Sequence, residues 1–171
     1  MTRSTSAEQA AAQAWFDHDR FGLFVHFGLY SVAARHEWVM TRERRTVEDY
    51  EKYAEFFEPD LFDATRIAEL AKSAGMGYAV LTTKHHDGFC LWDSDLTDYT
   101  SMRHQGRDFV AEWVEALRAA GLKVGLYHSL IDWHHPDFPY DFHHPRRDDA
   151  DARDAHPERT MVEYRKYLKG Q

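Results

Sequence analysis

The sequence predicts an α/β fold of the (β/α)8 barrel type, with only the first strands and helices present in this chain. Three observations predict it. Strand-like apolar runs at 21–27, 78–84 and 123–129 alternate with helical segments, the order expected of parallel strands joined by right-handed crossovers. The runs are near-continuously apolar, as in a sheet covered on both faces. Each run exits into polar rings and long aromatic loops, and barrel enzymes collect their sites at such strand ends. No Gly-x-Gly-x-x-Gly or Walker-type loop follows any run, which argues against nucleotide binding on a doubly wound sheet.

The elements follow from local signals. Ser6 and Gln9 fit a capping box before the alanine-rich helix 7–16. After the first strand, a polar loop carries Arg35, His36, Glu37 and Trp38. Thr46 with Asp49 caps a short helix through about Phe57, and Pro59 breaks it. Asp63 caps the next helix, where Ile67, Leu70, Ala71 and Ala74 form one apolar stripe and Gly75 and Gly77 mark the end. A loop of some twenty residues follows the second strand. Helix 108–120 then presents Phe109, Val110, Trp113, Val114 and Leu117 on one face, and Gly121 ends it. After the third strand a loop rich in His, Asp and Pro leads to a last helix at 157–168, with Pro157 in its first turn. Three strands do not close an eight-stranded barrel. The open parallel edge is an association hazard, to be covered by completing segments or by a second copy in a homo-oligomer.

Composition narrows the function. At 171 residues, with 43% hydrophobic and 15% aromatic content, the chain can build one domain with a real core. Twenty-nine acidic against 21 basic residues give a net charge of −8, a poor match to nucleic acid, which demands concentrated positive charge. Arg42, Arg44 and Arg45 are interleaved with acidic residues and read as a solvated loop. The single cysteine, Cys90, excludes an internal disulfide and reads as a packing residue. No apolar run approaches membrane-spanning length, and Met1–Ser6 lacks the apolar core of a secretory signal, so the expectation is a cytoplasmic protein without a membrane partner.

Lys84-His85-His86-Asp87-Gly88-Phe89 begins at the last residue of the second strand, after the apolar run Tyr78-Ala79-Val80-Leu81. Adjacent residues of a strand point to opposite faces, so both histidines reach one site only where the strand has begun to turn, which Gly88 eases. His26 ends the first strand between Val25 and Phe27, and Tyr127-His128 ends the third. His26 reads either as a core histidine or as a site group. Of Tyr127 and His128 only one faces the site centre, and Tyr127 is favoured because a phenol both donates and accepts near a sugar hydroxyl. Glu37-Trp38 pairs a carboxylate for adjacent hydroxyls with a ring for an apolar sugar face, and Asp132-Trp133 repeats the combination. Clustered histidines also suit zinc, although His-x-His is missing. His134-His135 and His143-His144 read as weak ligands or solvated loop residues.

These stretches together resemble the N-terminal part of the retaining α-L-fucosidases, glycoside hydrolase family 29. The matching residues are Trp15-Phe16, Arg20 to Gly28, Glu37-Trp38, Phe56 to Phe62, Lys84 to Phe89, Gly125 to Ser129 and Asp132-Trp133. The resemblance covers residues from about 14 to 171, and Phe27 departs from it where the family often has Trp. It implies that residues 1–171 are the N-terminal portion of a barrel catalytic domain. It further implies that His26, Glu37, Trp38, His85, His86 and Tyr127, together with His128 and Trp133, hold the fucose of a fucosylated oligosaccharide or glycoconjugate. The implied reaction is a double displacement between carboxyl groups about 5–5.5 Å apart, with no cofactor and no metal. The resemblance places the nucleophile and acid/base after Gln171, so no catalytic residue is assigned here and the isolated chain is expected to turn over little substrate. Two other readings are a sugar-binding or vestigial module without catalysis, and a metal-dependent hydrolase using the clustered histidines.

Overall fold

A computed structural model describes residues 6–171, without the side chains of residues 6–9 and 12. The expected capping box at Ser6 and Gln9 therefore lies outside the described side chains. Helix α1 runs Ser6–Asp19, three residues beyond its expected end, and is followed by β1, Gly22–Val25. Strand β1 is shorter than its apolar run for a specific reason. The Phe27 N–H donates to Thr82 Oγ1 and the Thr82 hydroxyl donates to the Phe27 carbonyl, both at 3.1 Å. The main chain there is satisfied by a side chain instead of a ladder.

The loop to residue 45 is partly helical, with short turns α2, Tyr30–Ala33, and α3, Val39–Arg42. Three of the arginines here are paired: Arg35 and Arg45 reach Glu43, and Arg44 reaches Asp148. Thr46 accepts from the Asp49 N–H and opens α4, Val47–Glu51, continued by a 3-10 turn over Lys52–Phe56. Helix α5, Ala64–Ser73, is capped by Asp63, which accepts from the Arg66 N–H at 2.8 Å. Strand β2 is Tyr78–Lys84, as the apolar run predicts. The loop after it holds a short helix α6, Ser101–Gln105. Helix α7, Phe109–Ala119, is capped by Asp108, which accepts from the Ala111 N–H at 2.7 Å, and β3 is Lys123–His128.

The expectation of one final helix over 157–168 is corrected. Helix α8 spans Ala150–Ala155 and α9 spans Met161–Gly170, with Pro157 in the turn between them. The cause is Arg159, whose guanidinium donates to the carbonyls of Phe138 and His135 and to the Tyr140 hydroxyl. Those bonds hold residues 156–160 against the preceding loop, so the helix starts beyond them.

The three strands form one parallel sheet in the order β1–β2–β3, with Phe24 opposite Val80 and Val80 opposite Gly125. Its helix-covered face buries Ala79 and Leu81 against Phe109, Trp113 and Leu117 of α7 and Ala68 and Ala71 of α5. Phe27, Phe57, Phe62 and Phe109 lock that layer near the strand ends, with Phe27 stacked on Phe62 at 4.6 Å. On the opposite face Phe24 is 51% exposed. Among the described residues, no helix is long and apolar enough to cross a membrane.

Candidate functional site

Strand β2 ends in an irregularity that builds the site. Its pairing with β3 slips between Thr82 and Lys84, and residues 85–88 form a turn closed by the Gly88 N–H on the His85 carbonyl at 3.1 Å. Gly88 adopts φ +80°, and a side chain there would run into the carboxylate of Asp132. Because the strand has already turned, His85 and His86 share one side, their ring centroids 3.9 Å apart. The main chain beyond β3 continues the contact: Ser129 N–H donates to the Lys84 carbonyl at 2.9 Å and Trp133 N–H to the His86 carbonyl at 2.7 Å.

Rings from all three strand exits meet here. His26 lies 5.5 Å from His85, and Tyr127 lies 5.4 Å from it on the β3 side. Trp38 comes to 4.5 Å from His86, and the buried Trp133 to 4.7 Å. Glu37 is near enough for its charge to oppose the burial effect on the His85 ring. The structure thus brings His26, Glu37, Trp38, His85, His86, Tyr127 and Trp133 together. It does not bring His128, whose ring lies by Trp92 at 5.8 Å and helps line an apolar cavity of about 340 Å³ on the helix-covered side. Alternation along β3 turns Tyr127 to the site and His128 away from it.

Burial and hydrogen bonding set the protonation of the pair. Each histidine is only 5% exposed. Loss of solvation, reinforced by neighbouring imidazoles, pushes His85 down to about 4 and His86 to about 3, so both are neutral at pH 7. The His86 backbone N–H approaches His85 Nδ1 at 3.0 Å, which requires that nitrogen to accept. The two Nδ1 atoms are 2.8 Å apart, so His86 Nδ1 is the donor of that contact. The network therefore assigns a proton to His85 Nε2 and leaves His86 Nε2 as an acceptor. Such a pair offers one donor and one acceptor, the complement of hydroxyl groups that do both.

A second layer holds the turn. Lys84 is fully buried and its ammonium donates to Asp132 Oδ2 at 3.1 Å and to the Gln171 side chain at 2.9 Å. Asp132 Oδ1 accepts from the N–H groups of His134 and His135 at 3.2 and 2.9 Å. Asp132 is thus committed to the protein interior, unlike Glu37, despite the similar Asp-Trp pattern. Asp87 is buried beneath the turn and accepts from the Tyr50 hydroxyl at 2.9 Å. Its lost solvation raises the carboxyl to about 7.

Two groups of the site escape sequence reasoning. Tyr30 packs edge-on to His85 at 5.4 Å and hydrogen-bonds Thr82 Oγ1 at 2.8 Å. His143 packs edge-on to Trp38 at 5.0 Å, far along the chain from the strand exits. A local signal could have found Tyr30, an aromatic three residues after Phe27, where the first apolar run ends. None exists for His143. His134 bonds Glu51 at 2.7 Å and stacks on Tyr99, and His144 is buried. Among the described residues, no three His, Cys, Asp or Glu side chains converge to hold a metal ion. Burial raises the Cys90 thiol to about 12, which suits a packing role.

Comparison with known proteins gives a consistent result. A family model described as Alpha-L-fucosidase matches residues 2–171. The tissue alpha-L-fucosidase of Mus musculus is 38% identical over 149 residues, covering 77% of this chain and 33% of that protein. Among solved structures, alpha-L-fucosidase isoenzyme 1 from Paenibacillus thiaminolyticus is 53% identical at a TM-score of 0.90, covering 98% of this chain and 39% of that one. The GH29 alpha-L-fucosidase from Bacteroides thetaiotaomicron is 34% identical at a TM-score of 0.72, covering 82% of this chain and 33% of that one. The chain spans about a third of the length of the curated relatives it matches.

Proposed function

Because the chain belongs to the alpha-L-fucosidase family, we propose that it builds the fucose-recognition part of a retaining α-L-fucosidase. The substrate is a terminal α-linked fucose on an oligosaccharide or glycoconjugate. In this reading residues 1–171 are the N-terminal portion of a (β/α)8 catalytic barrel, and β1–β3 are its first strands. The parallel order and the two outer strands open to further pairing support that assignment. His85 Nε2–H and His86 Nε2 serve as donor and acceptor to neighbouring sugar hydroxyls, His26, Glu37 and Tyr127 complete the polar ring, and Trp38 supplies the stacking face; Trp133, fully buried, backs His86 and Trp38 and offers no face of its own. No cofactor takes part.

The single observation that carries this reading is the convergence of His26, His85 and Tyr127, from three strand exits, within 5.5 Å of one another through His85. The nucleophile and acid/base carboxyls are proposed to lie outside these 171 residues. None of the carboxylates described above fits either role: Asp87 and Asp132 are engaged inside the fold, and Glu37 belongs to the hydroxyl-binding ring. Calorimetric titration with L-fucose tests recognition, and an aryl α-L-fucoside tests turnover. The expected outcome is saturable fucose binding, with D-glucose giving none, and negligible turnover. Absence of fucose binding by the folded chain would overturn the assignment. Robust turnover would place the catalytic pair within it.

A further inference from the structure

Near the site, strand β2 is held to its neighbours by side chains as well as by the ladder. In the register with β3, Thr82 stands opposite Tyr127 and Lys84 opposite His128, which leaves Thr83 as an extra residue without a partner. Such a bulge bends its strand and re-aims the residues that follow, here His85 and His86. The two threonines at this point are buried, Thr82 at 1% and Thr83 at 4% exposure. A valine has the same shape, and a buried hydroxyl costs free energy unless it is bonded.

Both hydroxyls are bonded, each to the main chain of a different strand exit. Thr82 Oγ1 accepts from the Phe27 N–H and donates to the Phe27 carbonyl, directly beside His26. With its one proton on that carbonyl, Thr82 can only accept from the Tyr30 hydroxyl, 2.8 Å away, so its rotor is fixed. Tyr30 is itself confined, since a side chain at Gly28 would come within 3.0 Å of its ring. On the other side, Thr83 Oγ1 donates to the Tyr127 carbonyl at 2.8 Å. The peptide groups carrying or adjoining His26 and Tyr127 are thus tied to the two residues that precede Lys84 and the histidine turn.

We propose that Thr82 and Thr83 are positioning residues, a two-sided clamp that sets His26 and Tyr127 about His85 at the spacing L-fucose requires. The inference rests on the fucose reading and deepens it. His26 and Tyr127 lie 5.5 and 5.4 Å from His85, and they come from separate strands. Their spacing therefore depends on how the exits are held, and the clamp acts through the main chain, not on the sugar.

The test uses the 171-residue chain, its ring proton–carbon spectra without ligand, and calorimetric titration with L-fucose. Thr82→Val should shift the His26 ring signals and leave those of Tyr127 in place. Thr83→Val should do the reverse. Each valine should weaken L-fucose binding about tenfold, the scale of a buried group left without its partner. Thr82→Ser and Thr83→Ser keep the hydroxyl and delete a methyl, so they should restore both signals and affinity, which a packing role would not. Tyr30→Phe strands no peptide group and keeps the fold if the valines do not. By loosening the Thr82 hydroxyl it should move the His26 signals and weaken binding about twofold. Folded valine variants with unmoved rings and parental affinity, serine variants as weak as the valines, or Tyr30→Phe with parental His26 signals would overturn the clamp. Failure of the parent chain to bind L-fucose would remove the fucose reading, and the ring signals, read without ligand, would still judge the clamp.

Discussion

His85 and His86 carry opposite tautomers because the chain between them leaves no alternative: one backbone N–H and one ring N–H both point at His85 Nδ1. Long-range proton–nitrogen correlation spectra at pH 7 should show His85 protonated on Nε2 and His86 on Nδ1. Matching tautomers would break the donor–acceptor argument. His85→Ala should weaken fucose binding by at most about 3 kcal/mol, the scale of a lost buried hydrogen bond. The same burial makes stability pH-dependent. His85 and His128 are lowered from 6.5 to about 4, and His86 and His144 to about 3, each chiefly by lost solvation. Below pH 6.5 the unfolded chain takes up protons that the folded one refuses, so stability is full above 6.5 and falls as the pH drops toward 4. Asp87 opposes this. Raised from 3.8 to about 7, it contributes stability that is complete below 4 and lost as the pH climbs through 7. Four groups outweigh one, so the urea midpoint should fall between pH 6.5 and 4.5. Asp87→Asn, which keeps an acceptor for Tyr50, should steepen that fall and raise the midpoint at pH 8.

The element that matters most is the joint between the end of β2 and the loop after β3. Its centre is the Lys84–Asp132 pair, with both side chains essentially inaccessible. Removing one partner strands a buried charge, so Asp132→Ala should cost about 3–5 kcal/mol in urea unfolding. Replacing both with apolar residues, Lys84→Met with Asp132→Leu, should recover much of it. Because Trp133 N–H bonds the His86 carbonyl next door, the single variant should also lose fucose affinity. An Asp132→Ala protein as stable as the parent would show that the pair is solvated. Elements of this kind differ in how legible they are. Helices α5 and α7 could be read directly, since Asp63 and Asp108 cap them and apolar stripes follow at helical spacing. Strand β2 could be read from its apolar run alone. The sequence also pointed to Tyr127 over His128, and the alternation of β3 agrees. What could not be read depends on distant partners. Pro157 is a sound helix-start signal locally, but Arg159 reaches back to Phe138 and moves the start. His143 joins the site only because Thr41, a hundred residues earlier, bonds its carbonyl. Nor does a lysine at the end of a strand reveal that it will be buried until its aspartate is placed.

At the scale of the molecule, the helix-covered face of the sheet is finished and the rest is not. Strands β1 and β3 are both outer strands, with peptide groups facing outward from the three-stranded sheet. Phe24 stands 51% exposed on the uncovered face. At the β3 edge Leu126 is 50% exposed and lines the cavity shared with Trp92, Val110 and Leu168. A parallel edge flanked by apolar side chains is a template for pairing, and it is covered either by further strands of a barrel or by another copy. The 171-residue chain should therefore self-associate, its weight-average mass in sedimentation rising above 20.1 kDa as concentration is raised. Leu126→Glu places a charge on that edge and should shift the association to higher concentration. Fucose affinity should be unchanged, because Leu126 lies on the opposite face from Tyr127. A constant monomeric mass up to about 100 µM would mean that the edge is already protected in solution. The same measurement on a longer protein carrying the proposed remaining strands should show no concentration dependence at all. Covering the β3 edge and completing the barrel are, in this reading, one event.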